Sequence, residues 1–182
     1  MSEIGCRIII CGPTCSGKST MARQLAQRLD ISHIELDALF WKPDWEETPR
    51  DEFLAGISAV LEKSPEGWVI DGNYSESRNL TLPLADTLIW LHLPFSVVFR
   101  RLLQRTVARC IDHKSLWGTN YETWRQSFFS RESLILYQVT HWRKYERIGR
   151  NIQEIPHRAT VIELCSPREV DAFLAGLEDE IK

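Results

Sequence analysis

The sequence predicts an α/β fold: a three-layer sandwich with a parallel sheet in the middle and helices on both faces. Three observations predict it. Short β-branched apolar runs alternate with segments of helical period along the chain. The first such run enters a glycine-rich loop and then a helix. A later run, Trp68-Val69-Ile70, closes on an acid, Asp71, followed by Gly72.

The elements follow in order. Arg7 to Cys11 is apolar and β-branched and stops at Gly12-Pro13, as a buried parallel strand does. Lys18 to Leu29 repeats apolar residues at Met21, Leu25 and Leu29, a helical spacing. A short strand is expected around His33 to Leu36, then an irregular stretch holding Trp41, Pro43 and Trp45. Thr48-Pro49 opens a helix with Phe53, Leu54, Ile57, Val60 and Leu61 on its apolar face. Gly67 to Ile70 and Thr87 to Leu93 read as two further buried strands. Pro94 starts a helix whose apolar face is expected to hold Val97, Val98, Leu102 and Val107. From Leu116 to Arg150 the chain is aromatic and basic, with weak helical signals from about Glu122. Ala159 to Leu164 is the last strand, and Ser166-Pro167 caps a final helix through Leu177.

Composition excludes several classes. A hydrophobic share of 43% with 26% charged residues is ordinary globular usage. The net charge of −3 argues against a general attraction to nucleic acid or membrane. The charge is uneven, however: residues 100–150 carry 11 Lys/Arg against 4 Asp/Glu, which suggests a local anionic partner. The bland alternative is a solvated helical face. The five cysteines show no zinc spacing and read as reduced cytoplasmic thiols. No apolar run approaches the ~18 residues a membrane span needs. His33, His113 and His141 lack metal spacing and read as ordinary polar residues.

Gly12-Pro13-Thr14-Cys15-Ser16-Gly17-Lys18-Ser19 matches G-x-x-x-x-G-K-[ST] between a strand and a helix. The glycines permit a tight loop whose N–H groups converge on an anion at the positive end of the helix. Thr20 continues the segment into that helix. This pattern predicts ATP binding: Lys18 can reach the β- and γ-phosphates, and the Ser19 hydroxyl can ligate Mg²⁺. Beside such a loop, Asp71 at a strand end is placed to hold a Mg²⁺-bound water. The alternative is a turn aspartate before Gly72.

At these residues the chain resembles the adenylate-kinase-like P-loop kinases. More narrowly, it is similar to the bacterial proteins called adenylate kinase or DNA topology modulation protein. The carriers are G-P-T-C-S-G-K-S, L-D-A-L-F-W at 36–41, V-I-D-G-N-Y at 69–74, W-L-H-L-P at 90–94, R-R-L-L-Q-R at 100–105 and E-L-C-S-P-R-E-V at 163–170. The resemblance implies a five-stranded P-loop NTPase sheet and a helical, basic lid over the phosphates. It implies that Arg101 contacts ATP near the adenine and Arg105 near the phosphates. Ser166, Pro167 and Arg168 take the place of the segment that passes the adenine. The 182 residues are expected to form a single P-loop kinase-like domain, 1–182, with 38–66 as the acceptor-side segment and 110–150 as a lid-like insertion.

The chain also departs from adenylate kinases. Where they carry an acceptor-phosphate arginine after the second acid, this chain has Gly72-Asn73-Tyr74, and the next arginine is Arg78. Where they carry a threonine-glycine turn, it has Leu36-Asp37-Ala38. An aspartate there resembles the hydroxyl-phosphorylating kinases such as shikimate kinase. A carboxylate orients an alcohol but repels an acceptor phosphate; Asp37 as a helix N-cap is the structural alternative. Trp41, Arg50, Asn73, Tyr74 and Arg78 complete the candidate acceptor site. Trp41, Trp45, Trp117 and Trp124 either stack on an acceptor or pack their own segments.

The expected activity is transfer of the γ-phosphoryl group of MgATP to a small acceptor, first a nucleotide or nucleoside, with Lys18, Asp37, Arg101 and Arg105 carrying the chemistry. The alternatives are a kinase for a non-nucleotide metabolite hydroxyl and a regulatory or DNA-binding ATPase.

Overall fold

The structure is a computed structural model and describes residues 4–112, 134–142 and 157–180. Five parallel strands lie in the order β2-β3-β1-β4-β5, with β1 at Arg7–Cys11, β2 at Ser32–Glu35, β3 at Trp68–Asp71, β4 at Thr87–Leu91 and β5 at Thr160–Leu164. Strand β1 is central and buried on both faces, which is why it reads as an unbroken apolar run. Its alternation sends Ile9 and Cys11 into one core, with Ile34, Ile57 and Ile70, and sends Ile8 and Ile10 into the other, with Met21, Leu25 and Leu177. The predicted fold class is the observed one.

Helix α1 (Lys18–Leu29) covers the second face through Met21, Ala22, Leu25 and Ala26. It ends at Asp30, in the left-handed region at φ 54°, whose N–H returns to the Ala26 carbonyl. Strand β2 passes directly into the short α2 (Leu36–Phe40), so Leu36 lies in the helix and not in the strand. Helix α3 (Arg50–Glu62) turns Phe53 and Ile57 inward; Pro49 is its N-cap residue, one position outside the helix. Helix α4 (Ser75–Thr81) follows β3. Helix α5 (Phe95–Asp112) starts after Pro94, and α6 (Leu134–Thr140) packs against it.

On α5 the buried residues are Val98, Leu102, Thr106 and Cys110, a stripe at every fourth position. Val107, expected inside, is exposed. The i+4 row runs through the small polar Thr106, and apolar character alone points to the wrong neighbour.

Helix α7 (Pro167–Glu180) opens with a capping interaction. The Glu169 N–H donates to Ser166 Oγ at 3.2 Å, and that hydroxyl donates to Glu169 Oε1 at 2.9 Å. Most of the lid-like insertion, including Trp117, Trp124 and His113, lies outside the described residues, so the expected helix from about Glu122 is met only at α6.

Phe53 ties the segment 38–66 to the sheet. It is buried and meets Phe40 at 5.3 Å and Tyr74 at 5.1 Å, both edge-on. Phe53→Ala is expected to cost about 3–5 kcal/mol of unfolding free energy. Urea denaturation checks this, and a loss below about 1 kcal/mol would mean that α3 collapses to fill the gap.

Candidate functional site

The loop between β1 and α1 is shaped to receive an anion. Gly12 has φ 152° and Gly17 φ 107°, conformations that favour glycine. A Cβ on Gly12 would stand 2.8 Å from the Leu91 carbonyl oxygen and 2.9 Å from Ser16 Oγ. Cys15 adopts φ 64°, a left-handed backbone that costs a β-carbon residue roughly 1–2 kcal/mol. Such a turn makes successive N–H groups converge. No side chain caps the start of α1, so its first N–H groups have no capping partner. Ser16 Oγ is buried without a hydrogen-bond partner. A buried hydroxyl left unsatisfied just before an uncapped helix start suits an anion such as phosphate. Pro13 is buried, Thr14, Cys15 and Ser19 are half-buried, and Thr20 faces solvent.

Three side chains hold this loop. Asn73, just after β3, brackets Gly12: its Oδ1 accepts from the Gly12 N–H at 3.3 Å, and its Nδ2 donates to the Gly12 carbonyl. Lys18 Nζ folds back onto the Gly12 and Pro13 carbonyls at 3.0 and 2.9 Å. Arg101 Nη1, from α5, donates to the Ser16 carbonyl at 2.9 Å. The resemblance implies an adenine-side contact for Arg101; here its guanidinium is engaged with the loop's own backbone. Arg105 is half-buried one helical turn further along α5.

The acids lie close by. Burial lowers the pKa of Lys18 from its ordinary value, opposed by the charges of Asp37 and Asp71, so both carboxylates act on the loop lysine. Asp71 is buried at the end of β3. Its Oδ1 lies 2.9 Å from His33 Nε2, and since a carboxylate only accepts, the imidazole donates. Among the described residues nothing donates to Asp71 Oδ2. Ser19 and that free oxygen are therefore the donors suited to Mg²⁺, a hard cation that prefers oxygen and keeps bound waters.

Asp37 is not an N-cap: the N-cap of α2 is Glu35, and Asp37 stands inside the first turn. Its Oδ1 accepts a hydrogen bond of 2.6 Å from the Tyr74 hydroxyl. Burial, reinforced by the Asp37 charge, pushes the Tyr74 hydroxyl well above the ordinary phenol range.

Tyr74 also lines a cavity with Cys11, Gly72, Asn73, Ser77 and Arg78. Arg78 is half-buried and makes no hydrogen bond or ion pair with any described residue. Burial lowers its pKa, opposed by Cys11 and Glu76. Burial pushes the Cys11 thiol up to about 12 against the pull of Lys18 and Arg78, so Cys11 stays a neutral wall. Phe40, Trp41 and Trp45 form an edge-on aromatic group beside Tyr74, with centroids 5.0 Å apart for Phe40–Trp41 and 5.6 Å for Trp41–Trp45.

Not every expected residue joins the cluster. Arg50 is exposed at the start of α3 and does not line the cavity. Ser166 and Pro167 are half-buried and Arg168 is exposed at the head of α7, with Ser166 engaged in capping. His33, read as an ordinary polar residue, instead orients Asp71; only the β2–β3 pairing reveals this.

Comparison with known proteins places this geometry. A family model described as an AAA domain matches residues 8–113, more than half of the chain. No curated protein sequence matches it. Among solved structures, shikimate kinase from Bacteroides thetaiotaomicron aligns at a TM-score of 0.56 and 16% identity, over 96% of this chain and 97% of that one. Shikimate kinase from Acinetobacter baumannii in complex with shikimate aligns at 0.56 and 13%, over 97% and 95%. At these identities the likeness establishes a shared fold.

Asn73 carries the tie between β3 and the phosphate loop. Asn73→Ala removes both of its hydrogen bonds to Gly12, each worth about 0.5–1.5 kcal/mol. ATP affinity, measured by calorimetry, is expected to fall about 5- to 150-fold on that basis. Unchanged affinity would mean the loop holds its shape without the amide.

Proposed function

The chain belongs to the AAA-domain family, and from that membership and the cleft's geometry we propose that it is an ATP-dependent kinase for a small acceptor that presents a hydroxyl group. The observation that carries this reading is the bond between Tyr74 and Asp37. A carboxylate whose charge is felt by the phosphate-loop lysine already accepts a hydrogen bond from a neutral hydroxyl, the phenol of Tyr74. An acceptor hydroxyl can take the same bond.

In this reading Asp37 orients the acceptor oxygen and receives its proton as the new O–P bond forms and ADP departs. Lys18 leaves the Gly12 and Pro13 carbonyls and turns to the phosphates. Arg101 and Arg105 add positive charge where the transferred group gathers negative charge. Mg²⁺ bound by Ser19, and through water by Asp71, would neutralise phosphate charge. His33 keeps the Asp71 carboxylate facing the loop. The shikimate kinase fold supports a hydroxyl acceptor over an AMP-type phosphate acceptor, because Asp37 repels a phosphate at that position. The aromatic group of Phe40, Trp41 and Trp45 supports a nucleoside within the hydroxyl class, since a flat base can stack on it.

A coupled assay of ADP release tests the reading, with purified protein, MgATP and a panel of nucleosides, nucleotides and hydroxy acids. Hydroxyl acceptors are expected to be turned over and AMP to be poor; strong AMP turnover would overturn the hydroxyl assignment.

Two variants sharpen it. Asp37→Asn is expected to lower kcat at least about a hundredfold, the scale of a lost general base, while ATP affinity stays within a few-fold. An equal loss of ATP binding would make Asp37 a structural or metal-linked residue. Arg78→Ala is expected to raise the KM for an anionic acceptor about tenfold or more, the scale of a charge-assisted hydrogen bond. A neutral acceptor should be unaffected, and equal effects on both would remove Arg78 from acceptor recognition.

A further inference from the structure

Outside the phosphate-loop cleft, three side chains of different ligand chemistry meet where β4 and β5 end. His92 follows β4, and Glu163 and Cys165 flank Leu164 at the end of β5. The parallel register pairs Trp90 with Glu163 and Leu91 with Leu164, which brings the two strand ends level. The His92 N–H then donates to the Leu164 carbonyl at 2.9 Å and locks the corner. His92 Nδ1 lies 2.7 Å from Glu163 Oε1, and Cys165 Sγ lies 3.6 Å from the same oxygen. One ligand atom from each residue falls within 4.8 Å of the other two.

We propose that His92, Glu163 and Cys165 form a binding site for a zinc-class divalent cation, separate from the Ser19–Asp71 pair. The donor set is one imidazole nitrogen, one carboxylate oxygen and one thiolate sulfur, the combination that suits zinc better than magnesium or calcium. Zinc bonds of about 2.0–2.3 Å at tetrahedral angles put neighbouring donors roughly 3.2–3.8 Å apart. The Cys165–Glu163 separation is already there. The imidazole and carboxylate must part slightly, a movement open to side chains that are 38% and 43% exposed.

Two features fix the geometry before any cation arrives. The Trp90 indole lies flat against the His92 imidazole, 4.3 Å between centroids and 7° between planes, and sets the ring's orientation. Glu169 Oε2 accepts the Cys165 N–H at 2.8 Å, which fixes the backbone that carries the thiol. Three protein ligands leave a fourth position to water, as in exchangeable zinc sites. A bound cation would pin the ends of β4 and β5 together, next to the Ser166-Pro167-Arg168 segment.

Cobalt(II) is the probe, added to the reduced full-length protein. One equivalent is expected to bind with a thiolate-to-cobalt charge-transfer band in the near ultraviolet and strong visible bands of four-coordinate cobalt, and zinc should displace it. Cys165→Ser should abolish the charge-transfer band. His92→Ala and the shape-conserving Glu163→Gln should each weaken cobalt binding at least tenfold. Cys6→Ser, which alters an exposed thiol elsewhere, should leave the spectrum intact. Circular dichroism of each variant, matched to the parent, establishes that the chain is folded. A band that survives Cys165→Ser, or no band up to millimolar cobalt in the folded parent, would overturn the site.

Discussion

The arrangement of this molecule depends on one constraint: the backbone between Cys11 and Lys18 must hold a tight turn at positive φ that leads into the uncapped start of α1. Such a loop is unfavourable by itself. It needs glycines at positive φ, a left-handed Cys15 and a buried hydroxyl without a partner. It persists because it is fixed at both ends and along its side. The central strand β1 anchors it before, α1 after, and Asn73 and Arg101 hold its backbone from two other elements.

The turn that follows β3 joins the parts of the cleft. Four consecutive residues there serve four purposes. Asp71 offers a carboxylate oxygen to the cleft. Gly72 lets the chain pass Leu36, whose Cβ would stand 2.7 Å from any added Cβ. Asn73 grips the phosphate loop, and Tyr74 reaches Asp37 on α2. The strand order makes this possible, because β3 lies between β1, which carries the loop, and β2, which leads into Asp37. A single turn thus sets the distance between the phosphate loop and the short helix α2 that carries Asp37, and Phe53 supports it through its contact with Tyr74.

How much of this was legible in the sequence depended on the range of the interaction. The phosphate loop is a local motif with fixed spacing, so Gly12, Lys18 and Ser19 could be read directly, as could the parallel sheet from its alternating runs. Asp71 was legible as an acid ending a strand. Its partner His33 was not, because 38 residues separate them and only the β2–β3 pairing brings them together. The hydrogen bond from Tyr74 to Asp37 and the meeting of His92 with Glu163 are hidden for the same reason. On α5 the error was local: Thr106 continues the buried row while Val107 faces out, because position on the helix outweighs side-chain polarity when the two conflict.

The charges in the cleft follow a common pattern. Lys18 donates to the neutral carbonyls of Gly12 and Pro13, and Arg101 to that of Ser16. Arg78 makes no hydrogen bond with any described residue. The two acids are likewise bonded to His33 and Tyr74 and not to these cations. A direct salt bridge between Lys18 and Asp37 or Asp71 would satisfy both groups and would have to be broken before a phosphate could bind, at several kcal/mol for a buried pair. The acids instead act at a distance. They oppose the loss of charge that burial imposes on Lys18, yet leave its ammonium on carbonyls that it can exchange for phosphate oxygens at little net cost. Hydrogen bonds to neutral groups thus keep the positive charge of the cleft available, and that availability is what a site for a polyanionic ligand requires.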